Sequence, residues 1–449
     1  MGYAGTMNWS EITGEIDQFL SRLFPLNRSL TGSANRTTLE ILKEIVPLEI
    51  LEYPSGTEVY DWTIPPEWDL QEGWIDDADG MRLIDFSESN LQVMGYSDPI
   101  RKRIPFSELS ANLHTTSINE DAIPYRTSYY QRTWGFCVSK NQYRLLKEAK
   151  QPLDVCIKSS FNHQGSMTVA ELTIPGRSEE EYFVSTYFCH PSMANDNLSG
   201  VVLTAFLAKI LLARTERPEK SWRFIFVPET IGAISYLKYN ENVMQAIKGG
   251  FVASCCGGPG QIGYKETFLG NHLIDRSVNL AFRENGTQFI HYPFQPDGSD
   301  ERQYSSPGFR IPTATITKDK YYEFEEYHTS SDNLELVNGS QIGESLKHYL
   351  AAIEVIDKNK TYKSLSPYGE VQLGKRKLYP SIGGAFNTVD GKQGPEIKAG
   401  DQIDAISWIL FLADGTNDLV AIAERSGIRF EIIAGVGDEL CSKGLLEII

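Results

Sequence analysis

An alternation of apolar runs and helical stretches between residues 151 and 355 constrains this chain more than any other feature. Four apolar runs of strand length occur at 181–188, 222–227, 250–255 and 311–316. Helical patterns occupy 198–213, 230–248 and 271–284, and a last one spans 340–357. Chains that alternate in this way form an α/β sheet with helices on both faces. In such sheets the loops at the carboxyl ends of the strands share one crevice, and ligands bind there.

The flanks have a different texture. Ile12, Ile16, Phe19, Leu20 and Leu23 recur at three- and four-residue steps and predict a helix, and a second is expected near Thr37–Ile45. Between 51 and 150, Pro54, Pro65, Pro66, Pro99, Pro105 and Pro124 break helices, while 57–64 and 81–86 alternate as strands do. After 360, short strands are expected at 370–373 and 377–379. Helices follow near 402–412, 418–425 and 430–442, then a terminal strand at 445–449. That order reads as a winged helix. The expected organisation is an α/β domain from 1–50 and 151–358, a β-rich insert at 51–150 and a winged-helix-like unit at 360–449.

Composition narrows the partners. The net charge of −17 argues against nucleic acid and anionic membranes, which need clustered Lys and Arg. The winged-helix unit invites a DNA reading. Yet 401–449 holds nine acids and three bases, with Asp438 and Glu439 on the helix that would meet phosphate. That unit is expected to serve packing, lid movement or assembly into a homo-oligomer. No apolar run approaches the roughly 18 residues of a membrane span, and the N-terminus lacks signal-peptide character. Gly2 and Thr6 formally fit a myristoylation pattern, although Met7 fits a cloning leader as well. The six cysteines form no CxxC pair, which suits buried thiols in a reducing, cytoplasmic setting.

Four segments carry chemistry. His190 and Asp196 lie in a small-residue loop after the first apolar run, ahead of Ser199-Gly200. Glu229 follows the second run. The third segment is Gly298-Ser-Asp-Glu-Arg-Gln-Tyr304. His328, in Glu325-Glu-Tyr-His-Thr-Ser-Ser-Asp332, follows the fourth run. Histidine with aspartate suits zinc. Arg302 offers a two-pronged guanidinium to a substrate anion, or else an ion pair to Glu301 or Asp300. Asp300 and Asp332 are candidates to hold the far ring nitrogens of the histidines. Tyr129, Tyr130 and Trp134 form either a substrate wall or the core of the insert. Glu229 is either a general base or a carboxylate capping the next helix.

The order of these motifs resembles the M28-type zinc aminopeptidases. It resembles more closely a bacterial group with an aminopeptidase-like domain associated with polysaccharide biosynthesis. The resemblance rests on Cys189-His-Pro-Ser-Met-Ala-Asn-Asp-Asn-Leu-Ser-Gly200, Glu229-Thr-Ile-Gly, Gly298-Ser-Asp-Glu-Arg-Gln303 and Glu326-Tyr-His-Thr-Ser330. It implies a zinc-exopeptidase-like α/β/α sandwich with a β insert and a C-terminal winged helix. It places His190, Asp196 and His328 on metal-ligand positions and Glu229 on the general base. Three departures stand out. Thr230 replaces a metal-binding Glu, Ser254-Cys255-Cys256 replaces a stretch with a metal-binding Asp, and Ser192 replaces an orienting Asp. The expected cage therefore shrinks to three ligands and one zinc ion, with Cys255 as an alternative fourth ligand. The implied activity is hydrolysis of an amide in a short peptide-like or small-molecule substrate. The alternatives are an amide-forming enzyme and a non-catalytic binding or scaffold protein.

Overall fold

The computed structural model describes residues 7–376, 378 and 399–449. These fall into two compact units, one of Thr6–His272 with Gln288–Tyr349, the other of Leu273–Thr287 with Leu350–Ile449.

In the larger unit the elements run α1 (Trp9–Leu23), α2 (Ser33–Leu42), β1 (Glu49–Pro54), β2 (Glu58–Val59), β3 (Trp62–Thr63), β4 (Glu67–Asp76), β5 (Arg82–Asp85), β6 (Ile100–Ile104), α3 (Phe106–Leu109), β7 (Leu113–His114), β8 (Phe136–Cys137) and α4 (Lys140–Glu148). They continue with β9 (Leu153–Asn162), β10 (Ser166–Ile174), β11 (Glu181–Tyr187), α5 (Gly200–Leu212), β12 (Ser221–Val227), α6 (Ile231–Tyr239), α7 (Glu241–Ala246), β13 (Gly249–Val252) and β14 (Ile262–Lys265). After α8 (Leu273–Asn285), which belongs to the other unit, come β15 (Ile290–Tyr292), α9 (Glu301–Tyr304), β16 (Thr313–Lys318) and the start of α10 (Gly339–Lys358).

The central sheet has eight strands in the order β1-β10-β12-β11-β13-β16-β14-β15. Strands β12, β11, β13 and β16 are mutually parallel, so their carboxyl ends lie along one edge. Both faces are buried. Phe183, Ile225 and Val227 pack with Ile231, Ala233 and Ile234 of α6, while the alternate residues Val184, Phe224 and Phe226 are also inaccessible. The mixed sheet with helices is the fold class expected from the sequence.

Local sequence explains the main helices. In α1, Ile16, Phe19, Leu20 and Leu23 make one buried stripe, and Asn8 caps the helix by accepting from the Glu11 N–H. α5 is apolar all round because it is enclosed. Gly200 opens it where a Cβ would lie 2.3 Å from the Ala253 carbonyl oxygen, so only glycine lets the helix approach β13 this closely. The stretch Ala194–Leu212 is the one helical segment among the described residues long and apolar enough to cross a membrane, and 89% of its most apolar window is buried in the protein. The expectation of no such segment rested on uninterrupted apolar runs, which Asn195, Asp196 and Asn197 break.

The second sheet has the order β5-β4-β9-β6. Its central strand β9 lies beyond residue 150, so the small sheet runs past the expected edge of the insert. Trp134 packs against its core of Ile75, Val93, Phe136 and Leu153.

The other unit holds α11 (Ala399–Leu412), α12 (Leu419–Ser426), α13 (Phe430–Ser442) and a three-stranded sheet of β17 (Thr361–Ser364), β18 (Asp414–Asp418) and β19 (Leu446–Ile448) in the order β18-β17-β19. Ile406, Ile409, Val420, Ile433 and Leu440 fill its core. Gly427, in a left-handed conformation at φ 72°, ends α12. Asp438 accepts from Lys360 and from the Tyr362 hydroxyl, both at 2.9 Å. Residues 370–373, expected as a strand, form none. The strand expected at 377–379 falls largely outside the described residues.

Candidate functional site

The shared edge of the parallel strands gathers the sequence-derived residues. His190 follows β11, Glu229 follows β12, Ser254 and Cys255 follow β13, and the segment reaching His328 follows β16. This is the crevice that parallel α/β sheets provide.

Asp196 is positioned by its two neighbours. The Asn197 side-chain amide donates to Thr186 Oγ1, the Tyr187 carbonyl and the Ala253 carbonyl, at 3.0, 3.0 and 3.1 Å, and its oxygen accepts from the Cys255 N–H. Asn195 donates to the Lys318 carbonyl and accepts from the Gly257 N–H. These amides stand in for missing backbone partners and tie the loop to β11, β13 and β16. Asp332 accepts from the Asn195 and Asp196 N–H groups at 2.6 and 2.9 Å. Asp300 accepts from the Thr230 N–H at 2.7 Å. Both acids therefore hold backbone, not the imidazoles they were expected to orient.

The result is a convergence of three donors. One ligand atom from each of His190, Asp196 and His328 lies within 4.8 Å of the others. Asp196 Oδ2 is 2.9 Å from His328 Nε2 and 3.9 Å from His190 Nε2. Neither Asp196 Oδ2 nor His328 Nε2 has an aligned hydrogen bond. Ligands of a tetrahedral zinc at bonds of about 2.0–2.1 Å stand roughly 3.3 Å apart, and the two distances bracket that value. Burial, opposed by Asp196, lowers His190 to about 4, which leaves its lone pair free at neutral pH. Burial works against ionisation of Asp196, but His190, His328 and the Tyr187 hydroxyl outweigh it and hold the carboxyl at about 2. Two imidazole nitrogens and one carboxylate gathered about a common point fit a divalent cation. Cys255 is not in this group. Its thiol lies 3.7 Å from Ser254 Oγ, and burial raises its pKa well above the usual thiol value.

Glu229 Oε2 lies 3.9 Å from His190 Nε2, with about 26% of the side chain open to solvent. Burial, then Asp300 and Asp196, push its pKa well above the usual carboxylate range. Glu229, Thr230, Arg302, Tyr187, Tyr327 and His328 are among the residues lining a cleft of about 440 Å³. Arg302 makes no ion pair or hydrogen bond among the described residues. The pair expected with Glu301 or Asp300 is absent because Glu301 binds Lys265 at 2.8 Å and Asp300 holds Thr230. Tyr129 packs edge-on against Tyr96 at the margin of the main core. Tyr130 is half exposed, donating to the Thr63 carbonyl and meeting Trp62 edge-on, and Trp134 is core.

Two side chains of the site, Tyr187 and Tyr125, are not singled out by the sequence, and a third, Cys189, stands at a strand end near the site as expected. The Tyr187 hydroxyl donates to Asp196 Oδ1 and lies 2.9 Å from Ser254 Oγ. Its signal was only an apolar residue at a strand end. Tyr125 comes from the proline-rich insert and touches both imidazoles, at centroid distances of 5.0 and 5.1 Å, while its N–H donates to the His328 carbonyl. Cys189 Sγ is 3.6 Å from His190 Nδ1 and accepts from the Glu229 N–H, so it takes the orienting place expected of residue 192. Ser192 instead donates to the Phe24 carbonyl.

A family model described as a domain of unknown function, DUF4910, matches residues 17–359, and a winged helix-turn-helix model matches 360–448. A "Putative polysaccharide biosynthesis protein with aminopeptidase-like domain" from Clostridium acetobutylicum is 42% identical over 98% of both chains. A crystal structure of a "putative peptidase" from the same species is 41% identical, covers 98% of each chain and has a TM-score of 0.87. A zinc aminopeptidase from Bacillus subtilis shares the fold at 14% identity, with a TM-score of 0.57 over 77% of this chain and 94% of that one. The chain belongs to the DUF4910 family, an aminopeptidase-like α/β fold carrying a C-terminal winged helix.

Proposed function

We propose that the chain is a single-zinc amide hydrolase with Glu229 as general base. The observation that carries the reading is the convergence of His190, Asp196 and His328 beside Glu229, at the carboxyl edge of parallel strands. Bound there, the ion would supply Lewis-acid polarisation of the scissile carbonyl and acidify water. Glu229 takes a proton from the attacking water and returns it to the leaving amine. Its raised pKa suits the second half of that task, and a cation beside it favours the ionised form needed for the first. Tyr187 occupies Asp196 Oδ1 and Thr230 carries no carboxylate, which favours one ion over two.

The substrate is a peptide-like or small-molecule amide, and the setting is cytoplasmic. The name of the Clostridium acetobutylicum relative favours an aminoacyl or acyl conjugate in a biosynthetic route over general peptide digestion. The same residues can serve amide formation if an amine takes the place of water.

The test pairs metal content with turnover. Protein purified without added metal should carry about one equivalent of zinc, and Glu229→Gln should keep it while losing amide hydrolysis. Undiminished turnover in Glu229→Gln would refute the proton-transfer role. A binding protein is favoured instead by the replacements at Thr230 and in the Ser254-Cys255-Cys256 stretch. It requires no zinc and no gain in thermal stability when zinc is added, since an ion that binds only the folded state must stabilise it.

A further inference from the structure

We propose that the cleft beside the candidate metal centre recognises an anionic substrate, with Arg302 gripping a carboxylate or phosphate on the molecule whose amide reaches Glu229. This rests on the hydrolase reading for the location of the reacting bond, but the anion site stands on its own observations.

Arg302 is the one Lys or Arg side chain among the residues lining the cleft. It makes no ion pair or hydrogen bond among the described residues, and its Nε is buried without a partner. The acids next to it in sequence are committed elsewhere. Glu301 is wholly buried and accepts from Lys265 at 2.8 Å and from the Tyr321 hydroxyl at 3.0 Å, while Asp300 accepts from Thr230. The short helix α9 that carries Arg302 is fixed by this network. It is fixed also by buried Tyr304, whose hydroxyl lies 2.8 Å from Ser185 Oγ. Gly298 reinforces it: at φ +86° a Cβ there would fall 2.2 Å from the Tyr321 hydroxyl. A guanidinium carried on a fixed turn of helix, with a buried N–H that no protein group uses, offers a fork for a two-oxygen anion.

Buried Ser299, whose hydroxyl also lacks a partner, lines the same cleft and adds a donor. Glu229 shares the space and feels the Arg302 charge, yet no ion pair joins them. The cleft thus holds one guanidinium, Arg302, and one carboxylate, Glu229, that are not paired with each other. An anionic group docks at the first and leaves the second for the reacting bond.

The experiment uses the full chain stripped of metal by a chelator, so that a bound ion cannot hold the probe. Inorganic phosphate and succinate are titrated separately by calorimetry into the native protein, Arg302→Gln and Arg302→Lys, with zinc content after reloading and thermal unfolding measured on each. The native protein should bind at least one probe, and whichever binds names the anion. Arg302→Gln should weaken that binding at least tenfold, and Arg302→Lys should fall between, because an ammonium cannot reproduce the fork. No binding by the native protein, or equal binding by Arg302→Gln of unchanged melting temperature, overturns the inference. Loss of zinc with anion binding intact would sink the hydrolase reading alone. A native protein that reloads zinc but binds neither probe would sink this inference alone.

Discussion

Replacing Tyr187 by phenylalanine isolates what supports the candidate metal ligands. Asp196 is 1% exposed, with Oδ2 facing both imidazoles and Oδ1 taking the Tyr187 hydroxyl. The substitution keeps the ring that packs 5.2 Å from His190 and removes only the oxygen. A hydrogen bond to a charged group contributes about 1.5–3 kcal/mol. Partners behind a ligand alter metal affinity by about 10–100-fold, or roughly 1.4–2.8 kcal/mol. The two estimates agree, so the zinc dissociation constant should rise by one to two decades while saturating zinc still restores one equivalent. Competition against a chromophoric chelator measures it, and circular dichroism checks the fold. Ser254→Ala, which removes the 2.9 Å neighbour of the same hydroxyl, should have a smaller effect in the same direction. If Tyr187→Phe holds zinc as tightly as the native chain while His328→Ala does not, the phenol does not support Asp196 and the reasoning fails.

Two further outcomes concern the scaffold. Lys265→Met strands the buried Glu301 carboxylate, which should cost about 3–5 kcal/mol in a denaturant midpoint assay, and Lys265→Met with Glu301→Leu should recover much of that loss. Arg36, through hydrogen bonds first and charge after burial, lowers the pKa of Glu67, so the folded value lies below the unfolded one. Its stabilisation is therefore present above the unfolded value of about 4.3 and is lost as pH falls through the folded value. Arg36→Ala should flatten that acid limb in melting temperature against pH, and an unchanged limb would contradict it.

What the sequence disclosed depended on how far apart the interacting groups lie in the chain. The parallel strands were legible because burial on both faces writes an unbroken apolar run, as at 181–188 and 222–227. Strands β9 and β10 were not, since their mixed patterns reflect distant partners: β9 pairs with β4 and β6, and β10 with β1, which lies more than a hundred residues away. Helix α8 reads as part of the α/β alternation, yet it clusters with the C-terminal unit, where Arg276 pairs with Asp418 and Glu424. The four chemical segments were visible because each carries a polar group just past an apolar strand or in a glycine-bounded turn. Tyr125 was hidden: only the pairing of Pro124 with Thr329, across some two hundred residues, brings it to His328.

The departures from the zinc peptidases acquire a common sense at the strand ends. Ser254, in the Ser254-Cys255-Cys256 stretch where the resemblance expects a ligand, bonds to the Tyr187 hydroxyl, which in turn bonds to Asp196. Thr230, in place of another, sits at φ 62° with its N–H fixed to Asp300, the residue preceding the Glu301–Arg302 turn. Ser192, at φ 45°, holds the Phe24 carbonyl, while Cys189 lies against the ring it would have oriented. At Ser254 and Thr230 the side chain or its backbone meets a group of the site, Tyr187 in one case and Asp300 in the other, whereas Ser192 bonds away from it. A site decaying without selection for geometry should instead leave orphaned partners and collapsed space around the old ligand positions. Among the buried side-chain atoms without an aligned hydrogen bond, Asp196 Oδ2, His328 Nε2, Ser299 Oγ and Arg302 Nε belong to residues at the metal point and the cleft, while others, such as those of Thr204, Trp222 and Ser277, lie elsewhere. The proposed hydrolase requires the group at the metal point to stay open to an ion, and the alternative, a relic of a larger centre, requires it to bind none.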